Sequence, residues 1–200
     1  MCKGVVGIIY QDKLSLGYNN ENSDPDGLGE DVLDLIVRIN NEKGWKTFKE
    51  RSSKLKNVDI TDKEMIDKYK QYTSPNNSDL FSDIQSTEWL IEMYDGKIED
   101  YIIDNQFIKE SLYCEYGYII NLDNMTLEYY LGDQEEPQKN NRFGTISIDG
   151  YYPCRLSCIF NILDISNSNF RKIIDKMKKI DDTRIDDDSN FLKLNFNLKI

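Results

Sequence analysis

Two apolar runs, Gly4 to Tyr10 and Leu14 to Tyr18, flank the polar triplet Gln11-Asp12-Lys13, the pattern of an opening β-hairpin. Residues Asn19 to Gly29 are rich in Asn, Asp, Gly and Pro and read as a loop. From Glu30 the spacing becomes helical. Val32, Leu35, Ile36 and Ile39 recur on one face, and acidic residues in the first turn complement the helix dipole. Trp45, Phe48 and Leu55 predict a second helix. Thr61 with Glu64 forms a capping-box pattern ahead of Met65, Tyr69 and Tyr72, which predicts a third. Ser74 to Ser78 breaks the chain. A further helix is expected from Asp79 through Ile84 and Trp89 toward Tyr94, with a strand over Trp89 to Tyr94 as the alternative.

The second half alternates with period two. Cys114, Tyr116, Tyr118, Ile120 and Leu122 interleave with Glu115, Gly117, Ile119 and Asn121, and Asp123-Asn124 turns the chain into Leu127 to Leu131. Thr145 to Ile148 and Arg155 to Phe160 are expected to add two strands, and Ser168 to cap a helix carrying Phe170, Ile173, Ile174 and Met177. An acidic connector leads to the cleanest alternation in the chain. Leu192, Leu194, Phe196, Leu198 and Ile200 share one side, Lys193, Asn195, Asn197 and Lys199 the other, so this strand should cover a core and face water. The expected fold is α+β: one domain over residues 1–200, with a largely antiparallel sheet and a helical insert at about 30–95 after the first hairpin.

Composition narrows the chemistry. The chain has 25 basic and 36 acidic residues, a formal charge of −11, which disfavours a duplex nucleic-acid partner because phosphates need a basic face. It has no histidine, so Ser-His and Cys-His nucleophile pairs, His-ligated zinc and an imidazole base are excluded. The run Val5 to Tyr10 is too short for a signal-peptide core or a membrane helix, so the expected location is the cytoplasm, that of the host if the chain is phage-encoded. Cys2, Cys114, Cys154 and Cys158 are then read as free thiols. Cys154 and Cys158 should point to one face of their strand. The four lack the close paired spacing of a thiolate metal site, and no metal or cofactor is expected.

Several segments carry candidate chemistry. Asn22, Asp24 and Asp26 ahead of Gly27 resemble half of a calcium loop, but Leu33 stands where the bidentate Glu is required, and the alternative is a capping turn. Gly27 and Gly29 stand immediately before a helix, where free backbone N–H groups can receive an anion, yet Glu30, Asp31 and Asp34 already put negative charge there, and helix capping is the alternative role. Lys43, Lys46, Lys49, Arg51, Lys54 and Lys56 form one basic cluster, and Arg171, Lys172, Lys176, Lys178 and Lys179 another; each reads as a solvated helix face or as an attractor for a small anion. Cys2 would carry its own base if Met1 were removed, since an α-amine of pKa near ~8 transfers protons without histidine. With Met1 in place that amine lies one residue too early. Tyr113, Tyr116, Tyr118, Tyr129, Tyr130, Tyr151 and Tyr152 concentrate in the expected sheet, where such rings can stack on bases or simply fill a core.

The segment Tyr18 to Gly29 resembles the Tyr-Asn-His-x-Asp-Ser-Tyr-Pro-x-x-Leu-Gly signature of a family of uncharacterised bacterial, phage and fungal proteins that often begin with Met-Cys or Met-Gly. Ser111 to Asp123, Leu127 to Gly132, Gln134, Arg142-Phe143 and Tyr151 to Pro153 extend the resemblance. Asn20 stands where the pattern has His, Asn22 where it has Asp and Asp24 where it has Tyr, so amides replace titrating groups. The resemblance implies no activity.

The leading expectation is a non-catalytic protein, phage-encoded or otherwise mobile, that sequesters a small anionic signal, such as a cyclic or ADP-ribose-type nucleotide, for immune evasion. Its site would comprise Tyr18, Asn19, Asn22, Ser23, Asp24, Glu115, Tyr116 and Arg142: Arg142 for phosphate, tyrosines for a base, amides for ribose or base edges. The alternatives are an N-terminal-nucleophile amide hydrolase using Cys2, with Asn19 and Asn20 as supports, and an acidic module that engages a basic protein. No membrane partner is expected, and a homo-oligomer is compatible with any of these readings.

Overall fold

A computed structural model describes residues 2–59 and 87–182. The helix expected at Thr61 to Tyr72, the break at Ser74 to Ser78, the first part of the helix from Asp79, most of the acidic connector and the alternating segment Leu192 to Ile200 lie outside the described residues.

The opening hairpin is present as β1 (Gly4–Tyr10) and β2 (Lys13–Asn19). Gln11 and Asp12 both take positive φ, 53° and 60°, the geometry whose twist matches that of the paired strands. β1 is apolar throughout because both its faces are covered. It pairs parallel with β5 (Tyr116–Asn121), which turns back antiparallel into β6 (Thr126–Leu131), and β7 (Arg155–Asn161) closes the sheet in the order β2-β1-β5-β6-β7. Within this sheet, among the described residues, only the β1–β5 pair is parallel, so the α+β reading holds.

The insert folds over one face of this sheet. α1 (Glu30–Glu42) buries Val32, Leu33, Leu35, Ile36, Val37 and Ile39 and stops at Lys43, whose left-handed backbone returns its N–H to the last carbonyls. α2 (Trp45–Ser52) buries Phe48, while Leu55 is buried just beyond its end. α3 (Glu88–Asp95) resolves the ambiguity over Trp89 to Tyr94 in favour of helix. Trp89 stacks on Tyr101 at 4.8 Å over Gly17, where a Cβ would lie 2.6 Å from the indole nitrogen. α4 (Phe170–Asp182) lays Phe170, Ile173, Ile174 and Met177 beside α1 on the same face.

Two short strands are additional to those expected. β3 (Lys56–Asp59) and β4 (Asp100–Ile103) form a separate parallel pair. This pair screens the outer edge of β2: Asp104 N–H donates to the Leu16 carbonyl at 2.8 Å, Asn105 Oδ1 accepts from Leu16 N–H at 2.9 Å, and Ser15 donates to Asn57 Oδ1.

Three local expectations are corrected. Thr145 to Ile148 is not a strand but the exposed arm of a tight turn. Gly144 breaks the backbone before it, Asp149-Gly150 reverses the chain at positive φ, and Ile148 and Tyr151 exchange two backbone bonds. Cys154 and Cys158 do not share a face. Ser157 is an extra residue against Tyr129–Tyr130 of β6, and this bulge sends Cys154 and Leu156 to one side and Cys158 and Phe160 to the other. The helix after Ser168 starts one residue later than expected: the Asn169 carbonyl accepts the first helical bond, from Ile173 N–H, so Asn169 occupies the cap position.

The sheet thus separates two cores. The first, under the helices, includes Val6, Ile8, Tyr116, Tyr118, Ile120, Leu127, Tyr129 and Leu131. The second comprises Val5, Ile9, Leu16, Ile108, Cys114, Ile119, Tyr130, Phe143 and Cys154, and the loop between β6 and β7 closes it.

Candidate functional site

The Asn19 to Gly29 loop sits at the end of the sheet where β1 and β5 begin. Asn19 closes β2 opposite Gly4, and its buried amide donates to the Glu21 carbonyl at 2.6 Å and to Ser23 Oγ at 2.7 Å. Ser23 is fully buried. Its N–H reaches the Cys2 carbonyl at 3.4 Å, and its carbonyl accepts from the Tyr118 hydroxyl at 3.0 Å. Only glycine fits at position 4, because a Cβ there would lie 2.5 Å from the Tyr116 carbonyl and 3.0 Å from Ser23 Oγ. Asn22 is exposed at φ 54°, and its carbonyl receives Leu28 N–H. Asp24 Oδ1 caps the π-helical turn Pro25–Gly29 by accepting Gly27 N–H at 2.8 Å. The capping alternative to a calcium loop therefore describes this segment, and no metal-ligand cluster occurs among the described residues.

Glu115 and Tyr116 join this end of the sheet. Glu115 Oε1 accepts Lys3 N–H at 3.2 Å, and the Tyr116 hydroxyl donates to Asp181 Oδ2 at 2.7 Å. Cys2 lies half-buried beside them, against the first core. Tyr18 belongs to the opposite face, where its ring meets Phe107 edge-on and its hydroxyl bonds Asn20 Oδ1 at 2.9 Å. Seven of the eight expected residues are therefore gathered at one end of the sheet but divided between its two sides, and the polar groups of Tyr18, Asn19, Ser23 and Asp24 bond within the loop.

Arg142 lies apart from that group. Its Nη1 and Nη2 grip Glu128 of β6 at 2.6 and 3.0 Å, and the same carboxylate accepts from the Tyr130 hydroxyl and Asn121 Nδ2 at 2.8 Å each. The Glu128 side chain is 4 % exposed, so the guanidinium neutralises a buried charge of the protein itself. Burial, then the adjacent Glu128, drive the Tyr130 phenol far above its usual range. Tyr116, Tyr118, Tyr129 and Tyr130 are all buried, so these rings fill the cores. Glu128 was not legible as a site residue, since in Leu127-Glu-Tyr-Tyr-Leu131 it occupies a position that normally faces water. The unbroken apolar run of β1 was the available clue, because it requires cover on both faces.

Nor did the sequence single out a second concave surface, formed by the helices. Asp31, Asp34, Leu35, Arg38, Thr87 and Ile91 line a cleft of about 230 Å³ between α1 and α3. Partial burial, then Asp34 and Glu30, raise the Asp31 carboxyl above the ordinary range; partial burial and Glu30 raise Asp34, with Arg171 acting against them. Arg38 does not relieve them. It is held by Glu42 at 3.0 Å and Asp95 at 2.7 Å, and lies over the Tyr94 ring. Tyr94 in turn donates to Glu42 at 2.6 Å, and burial followed by that carboxylate pushes its phenol to about 12. Glu42 and Asp95 accordingly sit below the usual carboxylate range, through the Tyr94 and Arg38 hydrogen bonds for Glu42 and the Arg38 bond for Asp95. Arg38 thus satisfies two acids that lie outside the cleft lining, Glu42 and Asp95, while Asp31 and Asp34 inside it keep their raised carboxyls.

The second basic cluster is largely paired within the protein, the first less so. Arg171 pairs with Glu30 at 2.9 Å, Lys178 bonds Asp26, and Lys176 lies over the Phe160 ring. Arg51 reaches the Met93 carbonyl, whereas Lys46 is largely solvated. No helix among the described residues is long and apolar enough to cross a membrane. No family model, curated protein or solved structure matches this chain.

Proposed function

We propose that this protein acts by binding rather than by turnover, and that it presents the acidic face of α1 to a basic group of a partner, such as lysine or arginine side chains of another protein. One observation carries the reading: Asp31 and Asp34 line an open cleft with their carboxyls held above the ordinary range by partial burial and like charge. A cation placed there would relieve that repulsion, and the formal charge of −11 would draw it in. The absence of histidine and the commitment of Asn19, Ser23 and Asp24 to loop hydrogen bonds support binding without proton transfer. An anionic nucleotide fits less well, because Glu21, Asp24, Asp26 and Glu30 crowd the loop and Arg142 is already paired.

Calorimetric titration with a short poly-lysine peptide tests this. Binding should weaken with added salt, and Asp31→Asn with Asp34→Asn should weaken it by about tenfold, the sum of two partly exposed ion pairs. Glu135→Gln with Glu136→Gln should leave it unchanged. Equal affinity for all three proteins, or binding of ADP-ribose or a cyclic dinucleotide in preference to the peptide, would overturn the reading. Turnover of an amide substrate that is lost in Cys2→Ala would restore the hydrolase alternative.

A further inference from the structure

The second core holds two cysteines that the chain brings together from forty residues apart. Cys114 lies just ahead of β5 and Cys154 just ahead of β7. Both are free and fully buried. The Cys154 thiol donates to the Cys114 carbonyl at 3.1 Å and also interacts with the Cys114 side chain. Each backbone is fixed in this position: Cys114 N–H donates to the Glu110 carbonyl at 2.9 Å, and Cys154 N–H to the Ile108 carbonyl at 3.0 Å. Cys2 and Cys158 pack against the first core, across the sheet, so neither competes for this pairing. The loop between β6 and β7 closes the core around the pair. Asn141 donates to the Pro153 and Cys154 carbonyls at 3.3 and 3.0 Å, Phe143 meets Tyr130 edge-on, and Arg142 grips Glu128. Burial, then the adjacent Cys154, drives the Cys114 thiol well above its usual range, so the closed form is inert.

From this juxtaposition we infer that Cys114 and Cys154 form a redox pair, which a small-molecule disulfide converts into one internal disulfide that fastens the end of the β6–β7 loop to the segment ahead of β5. Local opening of the loop admits the oxidant and lets one thiol lose its proton to solvent. That sulfur attacks one sulfur of the small disulfide, whose S–S bond breaks and releases a thiolate that takes up a proton. The second cysteine then displaces the remaining half from the mixed disulfide, and its own proton passes to the departing thiolate. The two cysteines are oxidised, one small disulfide is reduced to two thiols, and an excess of reducing thiol reverses the exchange. The product joins positions forty residues apart, so it restricts the open states that the polar bonds of the loop only disfavour. The Arg142–Glu128 pair sets the rate, because it must yield before the pair is reached.

Mass spectrometry of the full-length chain after incubation with oxidised glutathione tests this. Digestion without reduction should yield a linked peptide pair carrying Cys114 and Cys154, and reduced glutathione should abolish it. In Cys154→Ser, Cys114 should instead remain a thiol or carry a stable glutathione adduct. Proteolysis between Gly132 and Cys154 should slow by about tenfold in the oxidised protein, and the disulfide should form roughly tenfold faster in Arg142→Met. Absence of the linked pair in both the unsubstituted chain and Arg142→Met, or glutathione adducts that persist on Cys114 or Cys154 while both cysteines are present, would overturn the inference. So would links from either residue to Cys2 or Cys158 in place of the expected one. Equal rates in the unsubstituted chain and Arg142→Met would overturn the control by the loop.

Discussion

The two faces of the central sheet are closed in different ways. α1, α2, α3 and α4 cover one of them, and about thirty buried apolar residues interlock there, so each contact has many neighbours to share its loss. Among the described residues the core on the other side has nine members, closed by a loop, and the Arg142–Glu128 pair joins that loop to the sheet. The first face is closed by many dispersed contacts, the second by a few polar bonds of high individual weight. Stability should therefore be lost cooperatively on one side and locally on the other.

The largest effect is expected on the helical side. Ile36→Ala removes a fully buried side chain and should cost about 3 kcal/mol, read as a lower urea midpoint for the whole protein. A change confined to exchange within α1 would break the comparison. Arg142→Met should cost less, about 2 kcal/mol, because Arg142 is 40 % exposed although Glu128 is not. Its signature is local: proteolysis should become faster between Gly132 and Cys154 while α1 exchange stays unchanged. Adding Glu128→Gln should recover most of the loss, since the cost lies in the stranded charge.

The smallest expected effect has the opposite sign. Asp31→Asn with Asp34→Asn should stabilise the protein at pH 7 by a few tenths of a kcal/mol, the size of like-charge pairs on one helix face. The folded carboxyls titrate above their unfolded value of 3.8, so their penalty grows as pH rises through the raised range and vanishes below 3.8. Urea midpoints of wild type and variant should therefore converge in acid. Glu42 and Asp95 run the other way: their contribution is present at neutral pH and is lost as pH falls through their lowered folded values.

What could be read in advance follows the same division. The hairpins and α1 were legible because local alternation, turn residues and helical spacing agree there with the tertiary structure. Lys56–Asp59 contains a single apolar residue, Val58, so β3 carried no periodic signal, whereas Ile146 and Ile148 mimicked a strand that has no core to cover. At the candidate site, Asp24 and the loop around it were recognisable from turn chemistry. The split of Tyr18 from Asn19 was implicit in strand alternation, but the commitment of Arg142 to Glu128 depends on a contact across fourteen residues that no local pattern encodes.

Ser157 shows what one surplus backbone unit can accomplish. Upstream of it the outer strand contributes to the smaller core, and downstream to the larger, so a single ribbon stitches both halves of the molecule together. Removing that unit would rotate Cys158 and Phe160 out from beneath α4 without altering any other side chain. At this position it is the count of residues, more than the serine itself, that the gene must preserve.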